Sequence, residues 1–115
     1  MMQFTSSIKH NYEFRRIYHA GKNTASGLIA VYCRKNRRGG SQLGITVSTK
    51  VGKAVVRNKI RRRLKEIYRL HEPELRRGYD VIIVARVKSR YATYQQLEAD
   101  FLRLADKLEL REWKP

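Results

Sequence analysis

A helix whose narrow apolar stripe is surrounded by cations constrains the fold of this chain more than any other feature. Residues 55–71 are predicted to form it, because apolar side chains recur at spacings of 4, 4, 3 and 4, namely Val56, Ile60, Leu64, Ile67 and His71, with Leu70 widening the stripe. Residues 50–65 contain eight cations and no anion. Like charges one turn apart oppose helix formation, so packing of the stripe against a core must outweigh that repulsion.

The rest of the charge is distributed just as unevenly. Between Glu13 and Glu66 run 52 residues without a carboxylate, and 15 of them are lysine or arginine. Residues 1–65 carry a net charge of +15, whereas residues 66–115 carry +1. A small domain needs a net charge of only about 2–8 for solubility, and concentrated charge repels itself unless a polyanion offsets it. The sequence therefore predicts a polyanionic partner.

The character of the basic helix indicates nucleic acid as that partner. More than half of the cations from Lys50 to Arg69 are arginines, whose planar fork suits phosphate oxygens and stacks on bases. A membrane-surface helix would bury Trp, Phe and Leu in lipid, whereas this stripe is modest, aliphatic and needed for the core. DNA is not expected, because the helix is tied to a sheet and no dimerisation element is visible.

The other elements follow from apolar patterns and end signals. We predict a helix from Asn11, as its N-cap, to Gly21, strands at 27–33 and 42–48 joined as a hairpin, the helix 55–71, a strand at 80–87, and a last helix from a Thr93–Gln96 capping box to about Leu110. Residues 1–10 are expected to be extended, and another short strand fits near 22–26. The order α-β-β-(β)-α-β-α predicts an α+β fold, an α/β sandwich with helices on a small mixed sheet of about four strands.

Length and composition limit the remaining possibilities. A chain of 115 residues is expected to form one RNA-binding domain spanning 1–115. The lone Cys33 excludes an internal disulfide, provides no metal cluster, and is expected to be a small buried hydrophobe. No apolar run approaches the length of a membrane span, and the N-terminus lacks the layout of a signal peptide. We therefore expect a cytoplasmic protein.

Aromatic side chains beside the basic residues indicate unpaired RNA. Phe14 and Tyr18 share a face of the first helix, and Tyr32 lies on the first long strand. Together they could line a groove in which bases stack, at about 1–3 kcal/mol per base. Aromatic residues at helical spacing also commonly belong to the core, so burial of Phe14 stays an alternative at this point.

Four stretches resemble one family. Residues 50–62, KVGKAVVRNKIRR, closely resemble the arginine-asparagine-arginine box of the bacterial ribonuclease P protein subunit. Residues 13–18 with Gly21, residues 43–48 and residues 79–86 resemble other parts of that family, in the same order along the chain. Lys59 and Arg61 exchange the arginine and lysine that the family commonly has at these positions.

The resemblance implies a function. That family is the protein half of a ribonucleoprotein that removes the 5′ leader from precursor tRNA, and its RNA subunit carries the catalytic magnesium ions. It implies that this protein has no catalytic residue and binds no metal or cofactor alone. We also expect the protein to be monomeric alone. The resemblance also implies a left-handed β-α-β crossover that contains the basic helix, against the general right-handed rule.

The resemblance also assigns residues to two binding sites. The catalytic RNA would be contacted by cations and one asparagine around the basic helix, namely Lys50, Lys53, Arg57, Asn58, Lys59, Arg61, Arg62 and Lys65. The 5′ leader of precursor tRNA would lie in a cleft lined by Phe14, Tyr18 and Tyr32. The protein's part would then be substrate positioning and charge screening between two RNAs.

Two other functions compete with this interpretation. A self-sufficient nuclease could use His10, His19 or His71 as a general base, but the three are scattered, no carboxylate pair or lysine-framed dyad accompanies them, and His71 is expected on the buried side of its helix. A ribosomal or other structural RNA-binding protein would be equally basic, and composition alone does not exclude it.

Overall fold

The computed structural model describes residues 2–112, which form one five-stranded sheet and three helices. In chain order the elements are β1 (Thr5–Ser7), α1 (Asn11–Ala20), β2 (Lys22–Ala25), β3 (Ile29–Lys35), β4 (Ser41–Val47), α2 (Ala54–His71), β5 (Tyr79–Ala85) and α3 (Tyr94–Lys107). Short 3-10 turns precede α2 (Thr49–Val51), follow it (Glu72–Glu74) and follow β5 (Val87–Tyr91). None of these three helices combines the length and hydrophobicity needed to cross a bilayer. The α+β class is confirmed.

The predicted hairpin between the strands at 27–33 and 42–48 is wrong. The strand order is β1-β4-β5-β3-β2, so β5 lies between β3 and β4. β5 pairs antiparallel with β3 and parallel with β4. Residues 36–40 cross the start of β5, where the side-chain amide of Asn36 donates to Asp80 Oδ1 at 2.8 Å. The parallel pair β4 and β5, joined through α2, forms the β-α-β crossover that the family resemblance implies.

The sheet has five strands rather than about four because both short segments join it. The strand expected near 22–26 is β2, which pairs antiparallel with β3. The N-terminal segment, expected only to be extended, contributes β1 as an edge strand parallel to β4. Its three residues carry little hydrophobic pattern, so pairing with β4 is decided by the tertiary structure.

Helices cover both faces of the sheet. The larger core lies under α2 and α3 and includes Val81, Ile83 and Ala85 of β5. The smaller core lies under α1, where Ile17 packs on Ile82 from the opposite face of β5. Alternation along β5 thus buries both of its faces, as the continuous apolar run predicted. Cys33 is 2% exposed in the larger core, and burial raises the pKa of its thiol.

The helix boundaries and buried faces match the sequence-based predictions closely, with two corrections. Thr93 and Gln96 form the predicted capping box of α3. α1 begins at Asn11 itself, and the N-cap is His10, whose side chain makes no capping bond. In α2 the predicted stripe is buried at Ile60, Leu64 and Ile67, but Leu70 is 49% exposed. Tyr68 takes its place at 1% exposure, because it lies on the other flank of the stripe, toward Phe101 and β1.

A buried carboxylate joins the end of α2 to the N-terminal segment. Glu72 is 1% exposed and accepts the backbone N–H of Gln3 at 2.5 Å and that of Phe4 at 3.2 Å. The Thr5 and Tyr68 hydroxyl oxygens lie 3.1 Å apart beside it. Burial alone would raise the pKa of Glu72, but these hydrogen bonds outweigh burial and lower it. Glu72 therefore stays ionised and holds β1 against the sheet edge.

Candidate nucleic-acid interface

The outer face of α2 presents the cations predicted from the sequence. Asn58, Lys59, Arg62 and Lys65 are exposed, and Arg57 and Arg61 are half-buried. Lys50 and Lys53 are exposed just before the helix. The first turn of α2 contains no acidic residue, and its N-cap, Lys53, makes no side-chain capping bond. The positive end of the helix dipole therefore adds to the side-chain charge, an arrangement that favours a bound anion.

Two contacts restrain the polar side chains of this face. Arg61 donates from Nη1 to Asn58 Oδ1 at 3.0 Å, so the asparagine of the predicted box orients an arginine. Arg57 donates from Nε to the carbonyl of Gly52 at 3.2 Å. A guanidinium held in this way loses less conformational freedom when it binds a phosphate. Both arginines are thus positioned before any RNA arrives.

The sequence-based prediction did not include a second basic segment next to this face. The turn Val87–Tyr91 packs against the turn Thr49–Val51 and against α2. Arg63 of α2 connects the helix to the end of the turn Val87–Tyr91, because its Nη1 donates to the carbonyl of Ala92 at 3.3 Å. The turn exposes Lys88 and Arg90, and Tyr91 is 80% exposed with the Arg90 guanidinium 5.6 Å from its ring centre. In the sequence, Lys88, Arg90 and Tyr91 after β5 could have indicated this segment, but only the fold places it beside α2.

The three predicted cleft aromatics meet on the α1 side of the sheet. The rings of Tyr18 and Tyr32 pack edge to face, with centroids 4.8 Å apart. The ring centroids of Phe14 and Tyr18 lie 6.5 Å apart. All three are half-buried rather than fully enclosed, and they flank the small core of Ile8, Ile17 and Ile82. The cluster is therefore both a packing element and an accessible aromatic surface.

A glycine in β4 creates the space that Phe14 occupies. A Cβ atom at Gly44 would lie 2.6 Å from Cε1 of the Phe14 ring and 3.2 Å from Cδ1 of Ile8. The ring therefore lies directly over the β4 backbone. Gly44 is a determinant of the aromatic surface that helical spacing alone did not reveal.

The basic and aromatic surfaces lie on opposite faces of the sheet and meet at one edge. Alongside β1 and past its end, a groove of about 620 Å³ is lined by Phe14 from the α1 side and by Arg61 and Lys65 from the α2 side. The resemblance assigned these residues to two separate sites. The structure places them around one groove.

Cations backed by a helix N-terminus, next to half-buried aromatic rings on a sheet, define an RNA-binding protein of the α+β class. A family model described as Ribonuclease P matches residues 2–109. The chain belongs to the ribonuclease P protein family.

Individual relatives agree with that assignment. The chain is 42% identical over 103 residues to the ribonuclease P protein component of Clostridium botulinum strain 657, covering 89% of this chain and 93% of that protein. It is 37% identical to that of Clostridioides difficile strain 630, covering 92% and 94%. These relatives do not favour the ribosomal alternative.

Solved structures show the same fold. The Staphylococcus aureus RNase P protein superposes with a TM-score of 0.83 at 31% identity, covering 92% of this chain and 97% of that chain. The Thermotoga maritima protein superposes with a TM-score of 0.80 at 28% identity, covering 88% and 96%.

Proposed function

We propose that this protein binds the ribonuclease P RNA through α2 and its preceding turn, and binds the 5′ leader of precursor tRNA through the aromatic cluster. The observation that carries the proposal is the placement of a basic face and an aromatic cluster on opposite sides of one sheet. Such an arrangement can hold two RNA segments at once. The site of action proposed is the cytoplasm, where bacterial precursor tRNAs are made.

Charge supports the first half of this proposal. Arg57, Arg61, Arg62 and the lysines at 50, 53, 59 and 65 form a cationic surface, and Asn58 orients Arg61 within it. Two RNAs that must dock repel each other, and a cationic surface between them lowers that repulsion. The proposed contribution to the reaction is therefore electrostatic screening and alignment of the substrate.

Geometry supports the second half. The Phe14, Tyr18 and Tyr32 rings are half-buried, so each has an exposed part on which an unpaired base can stack. A leader is single-stranded, whereas the body of a tRNA is mostly paired. Stacking on these rings therefore provides selectivity for precursor over mature tRNA.

We assign bond cleavage to the RNA subunit. The three histidines considered as general bases lie in unrelated surroundings. His10 stacks on Tyr12 at the start of α1, and His19 is exposed near its end. Burial lowers the pKa of His71, but hydrogen bonds to Glu74 and Glu98 outweigh it and raise that pKa. Both ring nitrogens of His71 are already engaged by carboxylates of the protein, so neither is free to take a proton from a substrate.

Magnesium ions are assigned to the RNA as well. Mg²⁺ prefers oxygen ligands, especially carboxylates and phosphates. The proposed RNA surface consists of guanidinium and ammonium groups, which repel a divalent cation. Its side chains therefore do not fit a metal-binding role, and phosphate oxygens of the RNA do.

Reconstitution tests the proposal. The full chain, added to a bacterial ribonuclease P RNA at low magnesium concentration, is expected to restore removal of the leader from precursor tRNA. The chain without that RNA is expected to leave precursor tRNA intact. Failure of rescue would contradict the proposed subunit function, and cleavage by the pure protein would return catalysis to the protein.

A further inference from the structure

A separate basic cavity, the arginine pocket, lies on the α1 side of the sheet. Its volume is about 440 Å³, and it lies between α1 and the segment that ends β3 and leads into β4. Five cations border it, namely Arg16, Arg34, Lys35, Arg37 and Arg38. None of them belongs to the basic face of α2 or to the aromatic cluster, so neither proposed binding site uses this charge.

Two carboxylates also border the arginine pocket, but they pair with only one of its cations. Arg38 Nη2 lies 3.1 Å from Asp80 Oδ1, and Arg38 Nη1 lies 4.0 Å from Glu13 Oε1. The side chains of Asp80 and Glu13 are 9% and 16% exposed, whereas that of Arg38 is 53% exposed. Within residues 2–112 the other four cations form no ion pair. An anion that enters the pocket therefore meets cations before carboxylates.

The arginine pocket and the aromatic cluster lie on opposite flanks of α1. At 100° per residue, Phe14 and Tyr18 project to one flank of the helix and Arg16 projects to the other. On β3, Tyr32 and Arg34 are two residues apart, so both point to the α1 face, about 7 Å from each other along the strand. A single strand that stacks on the aromatic cluster therefore reaches the pocket by crossing one helix, which is about 10–12 Å wide.

The charge density of the arginine pocket favours a chain of linked phosphates over an ordinary backbone. A nucleic-acid backbone carries one negative charge per nucleotide, and four unpaired cations around one cavity exceed what one such phosphate requires. A 5′ triphosphate concentrates several charges in one small volume, and the planar fork of arginine binds phosphate oxygens in pairs. Among the described residues that border the pocket, none is aromatic, so a base finds no stacking surface there.

We propose that the arginine pocket binds the 5′ triphosphate of a leader that belongs to an uncut primary transcript. Transcription begins with a nucleoside triphosphate, so an unprocessed leader ends in a triphosphate. A leader shortened by another nuclease ends instead in a monophosphate or a hydroxyl. The inference rests on the proposed binding of the leader and adds a determinant of substrate choice to it. The protein then favours primary transcripts over precursors that have already been cut upstream.

Equilibrium binding of precursor tRNA to the reconstituted holoenzyme tests this pocket. Three precursors share one long leader and differ only in their 5′ end, which is a triphosphate, a monophosphate or a hydroxyl. We expect the triphosphate form to bind about tenfold more tightly than the hydroxyl form, the effect of one strong charge-assisted hydrogen bond. The double variant Arg34→Gln and Arg37→Gln should lose this preference and bind the hydroxyl form as the original chain does.

Two controls separate the arginine pocket from overall charge. The double variant Arg103→Gln and Lys107→Gln removes the same charge from the exposed face of α3 and should keep the preference. A precursor with a single-nucleotide leader should show no preference with the original chain, because its 5′ end does not reach across α1.

The possible results separate the arginine pocket from the proposed function. Equal affinity of the original chain for the three 5′ ends, or a preference that survives Arg34→Gln and Arg37→Gln, would overturn the pocket. Equal weakening of all three precursors by that double variant would indicate internal backbone phosphates and would also overturn it. In each case, tighter binding of the hydroxyl-ended precursor than of mature tRNA leaves the proposed leader binding standing. Loss of that selectivity in the original chain would contradict the proposed function and the pocket with it.

Discussion

The Phe14 ring lies over Gly44 so closely that a Cβ atom at residue 44 would come within 2.7 Å of Cζ. Gly44→Ala is therefore expected to push the ring out of the aromatic surface. Because the ring is the movable partner, we expect a folding cost within the usual range of about 1–3 kcal/mol for overpacking. Affinity for leader-bearing precursor tRNA should fall about fivefold or more through lost stacking. Gly27→Ala is the control, since nothing lies within 4 Å of a Cβ there. An unchanged affinity would show that the ring position is irrelevant to the leader.

Tyr18 provides a direct test of leader selectivity. Tyr18→Ala removes the ring that packs edge to face on Tyr32, so it should weaken binding of precursor tRNA and spare mature tRNA. Binding titrations of both tRNAs to the holoenzyme measure this. Tyr12→Ala, on the same helix but 54% exposed and outside the cluster, should change neither affinity. Equal losses on both tRNAs would instead favour a general RNA-binding function.

The basic face of α2 predicts a strong salt dependence. If it neutralises about 6–10 phosphates, affinity for the RNA subunit should fall by about 10³–10⁵ between about 50 and 200 mM salt. Arg62→Ala removes an exposed cation and should reduce the slope of log affinity against log salt by about 1. Arg103→Ala, which removes an α3 arginine paired with Asp100, should leave the slope unchanged. A flat salt response of the original chain would exclude an electrostatic interface.

Glu72 should make the stability of the protein decrease in acid. Because the folded-state pKa of Glu72 is lowered, its contribution is present above its ordinary pKa and is lost as pH falls through the lowered value. Glu72→Gln leaves one of the two N–H groups without its carboxylate acceptor and should cost about 1–3 kcal/mol at neutral pH. Urea unfolding between about pH 3 and pH 7 should show this difference shrinking toward the acid end. Glu112→Gln, an exposed site, serves as the control, and a pH-independent difference would contradict this role.

His71 should stabilise the protein more in acid than in alkali, which is the opposite pH dependence to that of Glu72. Its Nδ1 lies 2.6 Å from Glu74 and its Nε2 lies 2.8 Å from Glu98, which joins the end of α2 to α3. Because its folded-state pKa is raised, the stabilisation is complete below the unfolded pKa and disappears as pH rises through the folded value. His71→Gln should therefore destabilise the protein more at about pH 5.5 than at about pH 9. Thermal unfolding at both values decides this, and a larger loss in alkali would contradict it.

Local patterns in the sequence predicted much of the fold correctly. The stripe of α2, the Thr93–Gln96 capping box and the buried strand β5 follow from periodicity and end signals. Errors arose where a local signal had to decide a non-local partner. The five residues 36–40 are short enough for a hairpin, yet they cross β5, whose two edges pair with β3 and β4 and whose two apolar faces are buried under helices. Leu70 and Tyr68 exchanged roles because a helical stripe does not reveal how wide the opposing core is.

By itself, the sequence determined that the chain folds around a basic helix and that its net positive charge lies almost entirely in residues 1–65. It also determined that the partner is a polyanion. These properties depend on side-chain type and spacing within short segments. Only the tertiary structure decided that β1 stops at Ser7 and that Gly44 makes room for Phe14. It also brought Phe14 to the groove that Arg61 and Lys65 border. Strand pairing and close packing join residues far apart in the chain, and the energies that select them exist only once the sheet has formed.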